Sequence, residues 1–272
     1  MTRLLRLAAL ASALLVSACT GLPTLPVAQP SQIQATAEAR AALAPAGRLR
    51  VGVYPGSPTS WVKNPRTGEP AGVALELGKL MAQQLRVPVE VLEFARVAEI
   101  LEALKTGQVD MTFTNATAAR SRDVDFTAPL VQLELGLLVP PGSAIATFAN
   151  ADRVGVRIGV SQGSSSQGVL GQRLQLARVV PASSLEAAQQ LFKTGQIDAF
   201  ATNKGILFEM AEKLPGYQVL ADRWGLENLA IAVPKGREAG HAFLKTFAEQ
   251  AQNQGHLKAM AERAGLRGLA QP

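Results

Sequence analysis

The polar side chains able to act on a small molecule gather in a few short loops of a 272-residue chain. Gly163-Ser164-Ser165-Ser166 presents three hydroxyls in a row. If that turn opens a helix, its free backbone N–H groups and the helix dipole favour an anion. Asn115 and Asn203 each close a short apolar run with an amide that donates as well as accepts. Nucleophile chemistry has weaker support. The serine loop is not Gly-x-Ser-x-Gly, because Gln167 takes the final position, and the Ser60-x-x-Lys63 spacing is a common accident. His241 and His256 both fall far along the chain from these loops and form no metal set with nearby carboxylates. Glu76 is the one acid worth testing for catalysis. The chemistry on offer is recognition rather than turnover, with no cofactor and no metal.

These loops are placed by an internal repeat. Lys105-Thr106-Gly107-Gln108-Val109-Asp110 returns as Lys193-Thr194-Gly195-Gln196-Ile197-Asp198, and the match runs on to Thr114-Asn115 and Thr202-Asn203. Upstream, Arg50-Val51-Gly52-Val53 before Gly56-Ser57 matches Arg157-Ile158-Gly159-Val160 before Gly163-Ser164. Two copies this far apart describe two similar lobes rather than a solenoid. Within each copy the β-rich run reads as a buried strand ending at a Gly-Ser turn. Ile100, Leu101 and Leu104, like Leu185, Ala188 and Leu191, follow helical spacing, and Gly107 and Gly195 suit the left-handed residue that ends a helix. The aspartates then open strands at Met111 to Thr114 and Ala199 to Thr202. Asp110, Asp125 and Asp198 read as structural. Strand, helix, strand implies parallel sheets with crossover helices, and such sheets bind ligands beyond their strand C-termini. Two lobes facing each other would bring the polar loops to one cleft.

The N-terminus speaks to compartment. Arg3 and Arg6 precede an apolar run from Leu7 to Val16, and Val16-Ser17-Ala18 leads into Cys19, the only cysteine. This is a secretory leader too short to span a membrane. Val-Ser-Ala-Cys resembles a bacterial lipobox, in which the cysteine is lipidated and becomes the new N-terminus. From Thr20 to about Ala46 the chain is rich in Ala, Pro, Gln, Ser and Thr and reads as a tether, with one short helix possible over Ala35 to Leu43. Losing Arg3 and Arg6 with the leader lowers the net charge from +6 to +4. Those charges are scattered and aromatics are scarce, which argues against nucleic-acid binding.

In order along the chain, these features resemble the family-3 extracellular solute-binding proteins, the polar amino-acid receptors of ABC importers. Leu49 to Val53 is similar to the family's first strand, and Gly68 and Gly72 to its G-x-x-x-G turn. Thr114 to Arg120, followed by Val124-Asp125-Phe126-Thr127-Ala128-Pro129, resembles its T-x-T-P-E-R…V-D-F-S-x-P signature. Leu137 to Val139 and Ile231 to Gly236 resemble its two crossover strands, and the likeness runs from about Leu49 to Leu266. The resemblance implies an α/β, type II periplasmic-binding-protein fold, two α/β lobes joined by two hinge crossovers. Its expected organisation is a leader over 1–18, a tether over 19–46, lobe one over 47–135 plus 230–272, and lobe two over 136–229.

The resemblance makes Arg120 the clamp for a ligand carboxylate, which a guanidinium fork matches geometrically. Asn115 and Thr117 would add first-lobe contacts, and Ser164 and Ser165 second-lobe contacts. Trp61 falls near the aromatic that covers the ligand. Departures count as well. The position where amino-acid receptors carry an aspartate for the α-ammonium is Asn203, which is neutral, while Leu130 replaces a tyrosine and Ala118 and Ala119 replace the Pro-Glu pair. Burying an unpaired ammonium costs several kcal/mol, so an amine-free anion becomes a competitor to an amino acid. The expected protein is an exported, periplasmic-side, lipid-anchored monomer that captures a small carboxylate-bearing solute by lobe closure. It would hand the solute to an ABC permease without chemistry. The alternatives are a cyclohexadienyl dehydratase-like enzyme on the same fold and a sensory binding protein.

Overall fold

The computed structural model describes residues 34–270 apart from Pro65. The leader, Cys19 and the tether up to residue 33 lie outside the described residues. The first part of the chain reads α1 (Ala37–Leu43), β1 (Leu49–Val53), β2 (Val62–Lys63), β3 (Pro70–Ala71), α2 (Val73–Leu85), β4 (Val89–Glu93), α3 (Val97–Lys105), β5 (Thr112–Asn115) and β6 (Val124–Phe126). A long strand, β7 (Val131–Val139), leads into β8 (Arg157–Ser161), α4 (Ser165–Arg173), β9 (Arg178–Ala182), α5 (Leu185–Lys193), β10 (Ala199–Asn203), α6 (Lys204–Glu212) and β11 (Gln218–Val219). A second long strand, β12 (Gly225–Pro234), returns the chain to α7 (His241–Asn253) and α8 (His256–Arg263).

The two copies of the repeat fold alike. β1 pairs in parallel with β4, and β8 with β9. The crossover helices α3 and α5 bury Ile100, Ala103 and Leu104 in one copy and Leu185, Ala188 and Phe192 in the other. Both end as their sequences require, at Gly107 (φ +69°) and Gly195 (φ +62°), where the backbone is left-handed. Each copy is then locked by the same fork. Arg50 donates from its backbone N and Nε to Asp110 Oδ2 (2.9 and 2.8 Å) and from Nη2 to Oδ1 (2.8 Å). Arg157 does likewise to Asp198, at 2.8, 3.0 and 2.8 Å. The copies differ in burial: the Asp110 side chain is 0% exposed and also takes Arg237, whereas that of Asp198 is 36% exposed.

A mixed sheet joins the copies in the order β5-β12-β7-β10-β8-β9, with β6 on β12 and β11 on β7. β7 and β12 run antiparallel, from Val131↔Leu229 to Leu135↔Gly225. Beyond that shared stretch they part, β12 pairing with β5 and β7 with β10. The buried side chains change company at the same places. Leu133, Leu229, Ile231 and Val233 pack with β1, α2 and α7, while Leu135, Leu137, Leu138, Val139 and Trp224 pack with β8, β10 and their helices.

Two local features differ from, or add to, the sequence reading. α1 is not tether: Thr36 caps it by accepting from Ala39 N, and Ala39 and Leu43 are buried. Gly240 lies so close that a Cβ there would fall 2.5 Å from Leu43 Cγ. The apolar stripe of Ala39 and Leu43 therefore docks, and the packed body begins at Thr36 rather than at residue 47. Gly72 (φ +144°) starts α2 in a space with no room for a side chain, since a Cβ would meet Ser60 O at 2.2 Å. That close approach lets Val73 N and Ala74 N bond to the carbonyls of Pro58 and Thr59, satisfying the open end of α2.

Candidate functional site

The C-terminal ends of β5, β8 and β10 supply the polar residues of one cleft. Asn115 is the last residue of β5; its Oδ1 accepts from Asn228 N at 2.9 Å and its Nδ2 donates to Ser165 Oγ at 3.1 Å. Ser165 is the first residue of α4, and Ser164 is the N-cap, accepting from Gln167 N at 3.2 Å. Asn203 ends β10 and caps α6, accepting from Ile206 N at 3.1 Å. The loops meet at a carboxylate that the sequence reading did not single out. Glu227, on β12, accepts from Ser165 Oγ (3.2 Å) and from Asn203 Nδ2 (3.0 Å). Arg120 begins the 3-10 turn after β5, and its Nη1 donates to Thr114 Oγ1 (3.1 Å) and Asn115 O (3.0 Å). Its Nε and Nη2 make no hydrogen bond among the described residues.

The expected residues are thus partly gathered. Arg120, Asn115, Ser164, Ser165 and Asn203 all line the cleft. Thr117 does not; its hydroxyl accepts from Arg120 N at 3.2 Å and so holds the turn that presents the arginine. Trp61 also lies outside, against the core built on α2. The aromatic in the cleft is Tyr54, which packs against clusters on both sides of the crossing strands. Glu76 is bonded to Arg263 away from the cleft, and His241 and His256 lie elsewhere, beside Asp125 and Gln254. The sequence did carry a signal for Glu227: it is the single charge in Leu226 to Val233, an otherwise apolar run apart from Asn228. Among the described residues no group of three or more His, Cys, Asp or Glu could hold a metal.

Burial governs the electrostatics. Desolvation pushes the Glu227 carboxyl above the usual range, while Arg120 and the bonds from Asn203 and Ser165 pull the other way. Desolvation likewise lowers the Arg120 guanidinium, with Glu227 opposing it. Burial also raises the Tyr54 phenol. A second arginine in the lining, Arg96, is engaged by Glu99 (2.7 Å) and by Ser183 O (3.2 Å) across the cleft. The lining closes on itself, leaving about 30 Å³, room for a few waters. Such a site can hold opposite charges at two fixed points away from bulk water. It presents no activated nucleophile.

Known proteins share both fold and sequence with the chain. The ABC transporter glutamine-binding protein GlnH of Bacillus subtilis (strain 168) is 28% identical over 182 residues, 65% of this chain and 66% of that relative. Among solved structures, the P235GK mutant of ArgBP from T. maritima superposes with a TM-score of 0.74 at 20% identity, over 84% of this chain and 99% of the other. The ancestral amino acid-binding protein AncCDT-1, a precursor of cyclohexadienyl dehydratase, gives 0.71 at 24%, over 82% and 98%. These likenesses establish a mixed α/β fold shared with periplasmic amino-acid-binding proteins. The model of the bacterial extracellular solute-binding proteins, family 3, matches residues 49–266, and the chain belongs to that family.

Proposed function

We propose that the chain is the solute-binding component of an ABC importer and captures a small polar solute bearing a carboxylate. Its two lobes, residues 47–135 with 230–272, onto which α1 docks, and residues 136–229, close on the solute about β7 and β12. A solute that touches both lobes favours the closed state by its differential affinity, and a membrane permease reads that state. Export by the leader and lipidation of Cys19 would hold this monomer at the membrane. The observation that carries the reading is Arg120: a guanidinium with Nε and Nη2 unused, set where loops from both sides of the crossing strands meet. Asn115, Ser164, Ser165 and Asn203 complete the polar lining, and Thr117 supports it from behind.

A thermal-shift screen against amino acids and dicarboxylates tests this. A solute at a hundred times its Kd adds about 2.7 kcal/mol of stability, or roughly 5–10 °C for a body of this size. Arg120→Ala is expected to remove the shift. A panel in which no carboxylate stabilises the protein, or an undiminished shift in the variant, overturns the reading. An enzyme of the cyclohexadienyl dehydratase type has one observation in its favour, the raised carboxyl of Glu227, since an acid kept protonated can give its proton to a leaving hydroxyl. Recovery of a bound cyclohexadienyl solute unchanged after prolonged incubation would exclude it.

A further inference from the structure

We propose that Glu227 sets the specificity of the cleft: its carboxylate receives the cationic, amine-bearing end of the solute whose carboxylate Arg120 holds. The inference rests on the reading of this cleft as a solute site. Glu227 is only 7% exposed, on a strand whose neighbours Leu229 to Val233 are apolar. A carboxylate has about four acceptor positions. Here Ser165 and Asn203 occupy one on each oxygen, and no ion pair to Glu227 forms among the described residues. Packing alone does not explain the residue, because a buried carboxylate with no charged partner is unfavourable.

The charges around it say what is missing. Arg120 acts on Glu227 through space but does not touch it, and its own Nε and Nη2 lack acceptors. Arg96 is already engaged by Glu99. Tyr54, the other titratable group interacting with Glu227, is held neutral by burial. The Arg120 fork therefore offers two unused donors and Glu227 two unused acceptor positions, and the buried Nε of Arg96 is a further donor without a partner. A solute with a carboxylate and an ammonium satisfies both. A dicarboxylate would set its second charge against Glu227, where two carboxylates at contact distance repel. The neutral Asn203 suggested an amine-free anion from the sequence. In the fold, the negative charge absent at that position stands on β12, one strand beyond β7 in the sheet, and its carboxylate accepts from the Asn203 amide at 3.0 Å.

Calorimetric titration of the purified protein with L-glutamine, L-arginine and the other standard amino acids, each beside its des-amino counterpart and with glutarate, tests the assignment. The best amino acid is expected to bind wild type at least 100-fold more tightly than its des-amino counterpart. Glu227→Gln should weaken the amino acid about 100-fold and leave the des-amino compound unchanged or tighter. Preference of wild type for the des-amino compound or glutarate, or a Gln variant within threefold of wild type, removes Glu227 from recognition and leaves the Arg120 site standing. Binding of no carboxylate at all overturns both readings. If the Gln variant does not fold, the wild-type preference decides alone: less than threefold refutes the proposal.

Discussion

Replacing the aspartate in each copy of the repeat by alanine removes the same fork from two environments. In Asp110→Ala, Arg50 and Arg237 lose a partner whose side chain is 0% exposed, and they are themselves only 17% and 11% exposed. Breaking a buried pair by deleting one member costs about 3–5 kcal/mol, because water cannot replace the lost charge. In Asp198→Ala, Arg157 is 38% exposed and regains water directly. The ion pair is then worth ~0.5 kcal/mol, and the backbone N–H of Arg157, which Asp198 also accepts, adds about 1 kcal/mol. Thermal unfolding should register a drop of roughly 6–20 °C for the first variant and about 3–6 °C for the second. Their pH dependence is a further check. Arg157 holds the Asp198 carboxyl below the usual range, so its contribution is complete above the unfolded value of about 3.9 and fades as pH falls through the lower folded value. The deficit of Asp198→Ala should accordingly shrink in acid. Equal losses for the two variants at neutral pH would refute the premise that burial, not the fork, sets the value of the interaction.

Gly163→Ala should hold the cleft ajar, since its Cβ would lie 2.5 Å from Ala98 Cβ on the opposite side. Gly195→Ala carries the same left-handed strain (φ +62° against +72°) with nothing within 4 Å, and serves as the control. Solute affinity is expected to fall at least tenfold in the first and to stay within twofold in the second, and equal affinities would dismiss the clash. Asn203→Asp places a second carboxylate about where Nδ2 now donates to Glu227 at 3.0 Å. Two such groups cannot both ionise freely, so folded pKa values rise and stability is lost as pH rises. The fall in Tm should be larger at pH 8 than at pH 5, and a pH-independent fall would show that only the Nδ2 hydrogen bond to Glu227 was lost, the cap to Ile206 N being kept by the aspartate oxygen.

Much of the scaffold was legible because local and long-range signals agree. The Lys-Thr-Gly-Gln motif ends a helix by glycine geometry and opens a strand by an aspartate, and both copies do so at the expected residues. The place of Arg120 in the cleft was legible from the residues around it. Glu227 was harder to see because its place in the cleft is a matter of strand order: β12 lies between β5 and β7, and that placement brings residue 227 to the loops ending at 115 and 203. Trp61 lies outside the cleft for a related reason. The turn after β1 directs Tyr54 into the cleft and folds Trp61 back toward the core, a choice made by packing around Ser57, Ser60 and Gly72 rather than by spacing. The α1 helix was visible as a possibility, but its docking depends on Gly240, two hundred residues downstream.

The segment after α8 has a mechanical meaning. It lies along β7, with Glu134 N bonded to Gly268 O (2.9 Å), Ala270 N to Gln132 O (2.9 Å) and a bridge between Leu133 and Leu269. From there it grips α6 as well: Gly268 sits against Lys204, while Arg267 pairs with Glu212 and stacks over Phe208. α8 belongs with the packing around α2, and α6 with the packing around β10. If the lobes close as proposed, a strap fastened to both would act as a leaf spring across the two crossing strands. Any rotation about those strands must carry α6 and the strap together or peel Arg267 from Glu212. The resting angle would then be tuned by residues outside the cleft lining, so a sensor engineer could retune affinity at Arg267 without altering selectivity.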